Sequence, residues 1–280
     1  MEARDAAIEA LVASSAASVV AVACLRADGS PVVLREAERP FHAASTMKVP
    51  VLVEVHRAAA AGALDLDDPV PVRNAFRSIA DGSPYALDPA DDSETSLYGR
   101  VGATATVQEL CRQMITVSSN LATNLLIERV GAGAVAATMG DLGLPGLVVR
   151  RGVEDDAAYA LGLNNTVTAR DLARLLLGIA RREVVSPAAS ATMEALLAEQ
   201  VFNEGIPAGL PLGTIVAHKT GSIPRLYHDA AIVRPTSGGL YVLVVLTTGL
   251  DEAAEAPALV ASIAGACDAS VAAGGAWRVS

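Results

Sequence analysis

Aromatic residues are scarce in this chain, and a clustered positive charge is missing. Phe, Trp and Tyr make up only 3% of its 280 residues, which argues against a surface that stacks nucleotide bases. Acidic residues outnumber basic ones by 31 to 21, giving a formal net charge of -10. Because proteins that bind duplexes neutralise phosphates with grouped Lys and Arg, we do not expect nucleic acid as a partner.

Long apolar runs are also missing, although hydrophobic residues make up 52% of the chain. A membrane-spanning helix needs roughly 18 consecutive apolar residues, so we predict no membrane span. No secretory signal precedes the first predicted element, because Glu2, Arg4 and Asp5 stand where its apolar segment would begin. Two interpretations of localisation stay open, a cytoplasmic chain and a chain whose leader has been removed.

Cysteine and histidine are few and scattered. The cysteines lie among apolar or small residues, as buried free thiols typically do, and are Cys24, Cys111 and Cys267. The histidines lack the spacing of metal ligands and are His42, His56, His218 and His228. We therefore predict no metal ion and no other cofactor.

The two ends of the chain have the pattern of a sheet with helices. Five short apolar runs are typical of strands, and they span 19–25, 31–34, 212–217, 228–233 and 240–246. Helical patterns over 2–13 and 252–266 open and close the chain. The sequence thus predicts an α/β (α+β) fold with a five-stranded antiparallel sheet flanked by its terminal helices.

The middle of the chain is dominated by helical patterns. Predicted helices span 45–61, 106–116, 121–130, 168–179 and 186–200. Thr106 and Thr168 each precede an acidic residue by three positions, which is typical of helix N-caps. Two long polar segments, 73–100 and 150–165, have the length of functional loops.

This alternation predicts two lobes. An α/β lobe would consist of residues 1–43 and 200–280, and an all-helical lobe of residues 44–199 would be inserted into it. No internal repeat or low-complexity linker interrupts the pattern. A monomer is the default expectation.

The first chemical motif is Ser45-Thr46-Met47-Lys48, at the start of a predicted helix. Residues three apart on a helix share a face, so Ser45 and Lys48 would lie one turn from each other. A serine needs a base to become a good nucleophile, and a partly desolvated lysine can supply one. A Ser-x-x-Lys match alone is common, and a capping serine beside a solvated lysine would explain it equally well.

The second motif is Ser118-Ser119-Asn120, between two predicted helices. The Ser118 hydroxyl could relay a proton to a leaving nitrogen, and the Asn120 amide could hold substrate or the lysine. Taken alone, the segment also fits a polar loop.

The third motif is His218-Lys219-Thr220-Gly221-Ser222, at the end of a predicted strand. Lys219 offers a positive charge for a substrate carboxylate, Thr220 and Ser222 offer hydroxyl donors, and Gly221 permits close approach of the backbone. A turn that ends a strand would be the alternative interpretation.

Together the three segments resemble the motif set of the class A β-lactamase family, which that family shares with penicillin-binding proteins: Ser-x-x-Lys, Ser-Asp-Asn and Lys-Thr-Gly. They occur here in the same order, and the resemblance extends over about residues 19–266. It implies a serine hydrolase that acts on cyclic amides, with the active site between the two lobes.

The resemblance also implies a role for each residue. Ser45 would attack the β-lactam carbonyl, Lys48 would activate it, Ser118 would protonate the lactam nitrogen and Asn120 would position the substrate. The substrate carboxylate would be bound by Lys219, Thr220 and Ser222, with Gly221 allowing close approach. The backbone N–H groups of Ser45 and Ser222 would form the oxyanion hole.

The chain departs from the family pattern in three places. Ser119 stands where the family usually has Asp, which changes the local charge. Glu154 is the best candidate for the base that activates the hydrolytic water, but its loop is shorter than usual and lacks the nearby Leu-Asn pair. Many members join two helices by a disulfide; Cys111 fits one partner, but Leu52 occupies the other position, so we predict no disulfide.

Two further residues are candidates for substrate binding. Tyr98 could line the cleft near the second motif, although a core or surface position would fit it equally well. Arg225 follows the third motif and could add positive charge for the carboxylate. His228 is interpreted as a structural strand residue rather than as a base.

Three functions remain open at this point. The first is hydrolysis of β-lactams. The second is the same acyl-enzyme chemistry on a peptidoglycan-like substrate, in a penicillin-binding D,D-peptidase or an esterase that deacylates slowly. The third, a non-catalytic relative, is disfavoured because both lysines and both serines of the motifs are present.

Overall fold

A five-stranded antiparallel sheet built from both ends of the chain organises the structure, a computed structural model that describes residues 2–251 and 253–273. Its strands are β1 (Val19–Arg26), β2 (Pro31–Arg35), β3 (Ile215–Ile223), β4 (Leu226–Arg234) and β5 (Tyr241–Thr248). Their spatial order is β2-β1-β5-β4-β3. The predicted sheet is therefore confirmed, with β1 from the first part of the chain paired to β5 from the last.

Side chains alternate between the two faces of the sheet along each strand. Both faces are buried, each by its own hydrophobic core. On β1, Val20, Val22 and Cys24 point towards the helices α1 (Glu2–Ala13) and α9 (Glu255–Ala273). Ala21 and Ala23 join a second core on the opposite face. There the helix α7 (Ala169–Ala180) packs directly against β1, β4 and β5.

The second core is closed by the helical middle of the chain. Its other helices are α2 (Lys48–Ala60), α3 (Val107–Thr116), α4 (Asn120–Val130), α5 (Ala132–Asp141), α6 (Asp156–Ala160) and α8 (Pro187–Ala198). The predicted caps are in place: Thr106 accepts the N–H of Glu109, and Thr168 accepts that of Asp171. The division of the chain into two lobes stays a prediction.

Several features of the fold differ from the sequence prediction. A 3-10 turn (Ala44–Met47) precedes α2, so Ser45 lies just before the α-helix and not inside it. Helix α5 was missed because its Ala- and Gly-rich sequence has little apolar periodicity. Strand β3 runs through the third motif instead of ending before it, because Lys219 and Thr220 are buried and paired with β4. Helix α9 begins and ends later than predicted, and Glu252 lies outside the described residues.

Helix α9 has the length and apolar composition of a membrane span, although no apolar run in the sequence predicted one. Half of its most apolar window, 50%, is buried inside the structure. Helices in the cores of water-soluble domains pass the same test, and α9 packs on the sheet and on α1. All three cysteines are buried and free, with Cys24 of β1 and Cys267 of α9 in the core between the sheet and this helix.

Candidate active site

The three motifs meet at one oxygen, the Oγ of Ser118. The Nζ of Lys48 donates to it at 3.1 Å, and the Nζ of Lys219 donates to it at 3.0 Å. Lys48 also donates to the backbone carbonyl of Ser118 at 2.6 Å and to Oδ1 of Asn120 at 2.9 Å. The backbone of Ser118 is left-handed, with φ 58°, which turns its side chain towards both lysines.

Ser45 is placed beside this group by the turn that precedes α2 and by strand β3. A β-carbon at Gly221 would lie 3.0 Å from the N atom of Ser45 and 3.1 Å from that of Thr46. Only glycine lets the strand come so close to these N–H groups. The predicted oxyanion hole requires this approach of β3 to Ser45.

Burial controls the charge of both lysines, which are the only two in the sequence. Desolvation lowers the pKa of Lys48 to about 7, while the negative charges of Asp92 and Glu154 partly oppose that shift. Desolvation also lowers the pKa of Lys219 well below its usual value, and the nearby charge of Lys48 lowers it further. Near neutral pH a substantial fraction of Lys48 is therefore unprotonated and able to accept a proton.

A cavity of about 310 Å³ opens over these residues. Four motif residues line it: Ser45 and Ser118, which were predicted to be catalytic, and Thr220 and Ser222, which were predicted to bind substrate. Six further lining residues were not anticipated: Ser93, Phe202, Glu204, Tyr227, Ala253 and Pro257. Tyr227 could have been found from strand pairing, because it lies directly opposite Ser222, whereas the loop residues carry no sequence signal.

Tyr98 and Arg225 are not among the residues that line this cavity. The hydroxyl of Tyr98 donates to Oδ2 of Asp92 at 2.9 Å. Arg225 lies in the turn between β3 and β4, where it donates to the carbonyl of Gly249 at 2.9 Å. Both residues therefore lie close to motif residues but are engaged with protein groups.

Glu154 lies on the loop that faces Lys48. Its Oε2 accepts the N–H of Asp88 at 2.9 Å, and its backbone is left-handed, with φ 59°. Burial raises its pKa, against the opposing effect of that hydrogen bond. The preceding Val153 is held on both sides by Asn124, whose amide donates to its carbonyl at 3.0 Å and accepts its N–H at 2.7 Å. These two hydrogen bonds hold the backbone of Val153 and therefore the position of the adjacent Glu154.

A second buried polar group lies behind Lys219. The Nδ1 of His218 is 2.9 Å from Oδ1 of Asp229, and its Nε2 is 3.2 Å from Oδ1 of Asn203. The other oxygen of Asp229 accepts the N–H of Ile206 at 2.8 Å. The cluster therefore ties the loop around residues 203–206 to β3 and β4, next to the cavity.

His228 is buried in the sheet between two backbone groups. Its Nε2 is 3.0 Å from the carbonyl of His42, and its Nδ1 accepts the N–H of Thr247 at 3.2 Å. Burial lowers its pKa to about 4. These contacts fit the structural role predicted for it. Among residues 2–251 and 253–273, no group of three or more His, Cys, Asp or Glu side chains is arranged to hold a metal ion.

Known proteins are similar to this chain over most of its length. Residues 3–270 match the model of the Beta-lactamase enzyme family. A β-lactamase of Rhodobacter capsulatus is 29% identical over 223 residues, which cover 74% of this chain and 67% of that protein.

Solved structures have the same fold. PBP-A superimposes with a TM-score of 0.84 at 25% identity, over 98% of this chain and 97% of that one. A variant of PBP-A, solved as an acyl-enzyme complex with penicillin G, gives a TM-score of 0.80. A β-lactamase of Sphaerobacter thermophilus gives a TM-score of 0.80 at 25% identity, over 96% and 97% of the two chains.

Proposed function

This chain belongs to the Beta-lactamase enzyme family, and on that basis we propose that it is a class A-like serine β-lactamase, which hydrolyses the β-lactam amide through an acyl-enzyme on Ser45. The single observation that carries the proposal is the shared oxygen of Ser118. It joins a lysine from the first motif to a lysine from the third, beside a cavity that Ser45 lines.

In the acylation step, unprotonated Lys48 takes the proton of the Ser45 hydroxyl. The Oγ of Ser45 forms a bond to the lactam carbonyl carbon, and the N–H groups of Ser45 and Ser222 stabilise the oxyanion. The lactam C–N bond then breaks, and its electron pair stays on the nitrogen. Ser118 gives its proton to that nitrogen and regains one from Lys48, which the hydrogen bond between them permits.

The substrate carboxylate binds at the third motif. Thr220 and Ser222 line the cavity and donate hydroxyl hydrogen bonds, while Lys219 is buried and donates to the Oγ of Ser118, which also lines the cavity. In the empty site, burial lowers the pKa of Lys219. A bound carboxylate favours the charged form of a nearby ammonium, so substrate binding itself protonates Lys219.

Deacylation needs an activated water, and Glu154 supplies the base in this mechanism. Burial raises its pKa, which brings the carboxylate closer to the range of an effective base. Glu154 accepts the proton of the water as the water oxygen attacks the acyl carbon. The bond to Ser45 then breaks, and the proton held by Glu154 passes to the Ser45 oxygen, so that Glu154 and Lys48 both return to their starting states.

The alternative function is a penicillin-binding D,D-peptidase or esterase with the same acyl-enzyme. It is favoured by the similarity to PBP-A, a variant of which forms an acyl-enzyme with penicillin G. The contact of Glu154 with the N–H of Asp88 also occupies one carboxylate oxygen that a hydrolytic water would otherwise use. In that case the substrate is peptidoglycan-like, and β-lactams are released slowly.

Mixing the protein with a chromogenic cephalosporin, followed by intact mass spectrometry, separates these functions. Rapid multiple turnover supports the β-lactamase, and a single burst with a persistent adduct supports the alternative. Ser45→Ala is expected to lose both turnover and adduct, whereas Ser93→Ala, which removes another hydroxyl of the same cavity, keeps both. Absence of turnover and adduct in the wild type rejects the acyl-enzyme altogether.

A further inference from the structure

The second motif lacks its usual carboxylate at Ser119, but a carboxylate reaches it from another part of the chain. Asp92 lies in the loop over residues 73–100 and is only 8% exposed. Both of its oxygens accept the N–H of Asn120 at 2.9 Å, and Oδ2 accepts the N–H of Leu121 at 3.0 Å. These two N–H groups open helix α4, so Asp92 satisfies donors that have no partner inside the helix.

The same carboxylate is fixed from its own loop. The Tyr98 hydroxyl donates to Oδ2 at 2.9 Å, and the N–H of Glu94 donates to Oδ1 at 3.3 Å. All four groups that contact Asp92 are donors, and an ionised carboxylate accepts hydrogen bonds from each of them. This arrangement explains why Tyr98 lies next to the second motif without lining the cavity.

One residue, Asn120, links Asp92 to the proposed base. Asn120, whose N–H binds Asp92, accepts a hydrogen bond from Lys48 with its Oδ1 at 2.9 Å. Three charged groups act on Lys48 from the surrounding elements: Asp92 and Glu154 are negative, and Lys219 on β3 shares Ser118 with it. Asp92 therefore lies where it can affect both the position and the charge of Lys48.

We propose that Asp92 is a positioning residue that takes the place of the missing motif carboxylate, by fixing Asn120 at the start of α4 and by supplying a negative charge near Lys48. This inference rests on the proposed function of Lys48 as the base for Ser45. Its two parts can be separated, because an amide at position 92 removes the charge, whereas a glutamate keeps the charge and changes the contacts with Asn120.

The test is the pH dependence of acylation in Asp92→Asn. Loss of a nearby negative charge favours the neutral form of Lys48, so the acid limb of the acylation rate should move to lower pH, by about one pH unit. We also expect a severalfold rise in KM, because Asn120 is held less firmly. Asp81→Asn removes one charge from an exposed site of the same loop, and its acid limb should coincide with that of the wild type.

Asp92→Glu serves as the conservative variant, and it also covers a failure of Asp92→Asn to fold. It keeps the charge with a longer side chain, so the acid limb should stay in place while KM rises. An acid limb that is unchanged in Asp92→Asn, or that moves equally in Asp92→Glu, would overturn the role of the charge.

A second measurement does not depend on turnover. Because the chain has only two lysines, labelling with [ε-13C]lysine gives two side-chain signals, and Lys48→Arg assigns them. The titration midpoint of Lys48 should fall in Asp92→Asn and stay constant in Asp81→Asn. If the wild type forms no adduct but this shift is present, the proposed function fails and the electrostatic role of Asp92 stands. If the midpoint does not move, the role of Asp92 fails whatever the enzyme does.

Discussion

Lys48 and Lys219 donate to the same hydroxyl oxygen of Ser118, at 3.1 and 3.0 Å. Two ammonium groups this close repel each other, and both are fully buried. Repulsion and burial therefore both disfavour the charged forms. This arrangement suits the proposed roles, in which Lys48 acts as a base and Lys219 binds the substrate carboxylate. Four predictions test this site and the fold that supports it.

The first prediction concerns the pH dependence of acylation. Burial lowers the pKa of Lys48 to about 7, so the fraction able to accept a proton rises as the pH increases through that value. The rate of acylation by a penicillin, measured by stopped-flow mixing, should increase with pH between about 6 and 8. Lys48→Arg should lower the rate at least about 100-fold, because a guanidinium does not lose its proton. A wild-type rate that is flat across this range would contradict the role of Lys48.

The second prediction concerns deacylation. In Glu154→Gln the base is lost but the side chain keeps its size, so acylation should proceed and the adduct should persist for at least about 100-fold longer. Intact mass measured over time gives the lifetime. Asp156→Asn changes an exposed carboxylate two residues later, at the start of α6, and serves as the control; it should release product at the normal rate. Normal release by Glu154→Gln would remove Glu154 from the mechanism.

The third prediction concerns Tyr227, which lines the cavity and is only 5% exposed. Its buried hydroxyl has no hydrogen-bond partner within the described parts of the chain, and burial raises its pKa, so it stays a donor. Tyr227→Phe should raise the KM for a carboxylated β-lactam about fivefold, equivalent to about 1 kcal/mol, without loss of stability.

The matched control is Tyr241→Phe, whose hydroxyl donates to Oδ1 of Asp268 at 3.0 Å, in the core beneath α9. This variant should lose about 1 kcal/mol of stability in urea unfolding and keep its KM. If the two variants gave the reverse pattern, Tyr227 would be a structural residue and not a substrate contact.

The fourth prediction concerns the packing of α9. A β-carbon at Gly209 would lie 1.9 Å from the carbonyl oxygen of Ala261, which belongs to that helix. Gly209→Ala should therefore destabilise the protein by about 3 kcal/mol, as measured by urea unfolding. Gly140→Ala is the control, because nothing lies within 4 Å of its added carbon and α5 gains a better helix former. That change should stabilise by about 0.5 kcal/mol.

Much of the fold could be predicted because it is encoded locally. Short apolar runs indicate the strands, and Thr106, Thr168 and Ser186 each start a helix by accepting an N–H three residues later. Local patterns fail where burial comes from distant residues. Lys219 and Thr220 look like a turn, but loops and helices from elsewhere in the chain bury them, and they remain in the ladder of β3.

The residues of the site also divide into those that a local motif identifies and those that depend on distant contacts. Ser45, Lys48, Ser118 and Lys219 stand in short motifs, so their types and spacings identify them. Asp92 belongs to an irregular loop, and its importance appears only once that loop lies over the start of α4. Phe202 and Glu204 reach the cavity in the same way, through a loop anchored by Asp229. Contacts made by loops depend on the complete fold, so no local sequence pattern predicts them.

The pairing of β1 with β5 also has a consequence for how the chain matures. During synthesis β1 emerges long before β5, because Thr248, the partner of Val19, lies more than two hundred positions after it. Until β5 is made, one side of β1 exposes unpaired backbone groups and an apolar surface, a combination that invites association between nascent chains. Completion of the sheet is thus among the last events after translation, and a chaperone that shields β1 during that interval would raise the yield of folded protein.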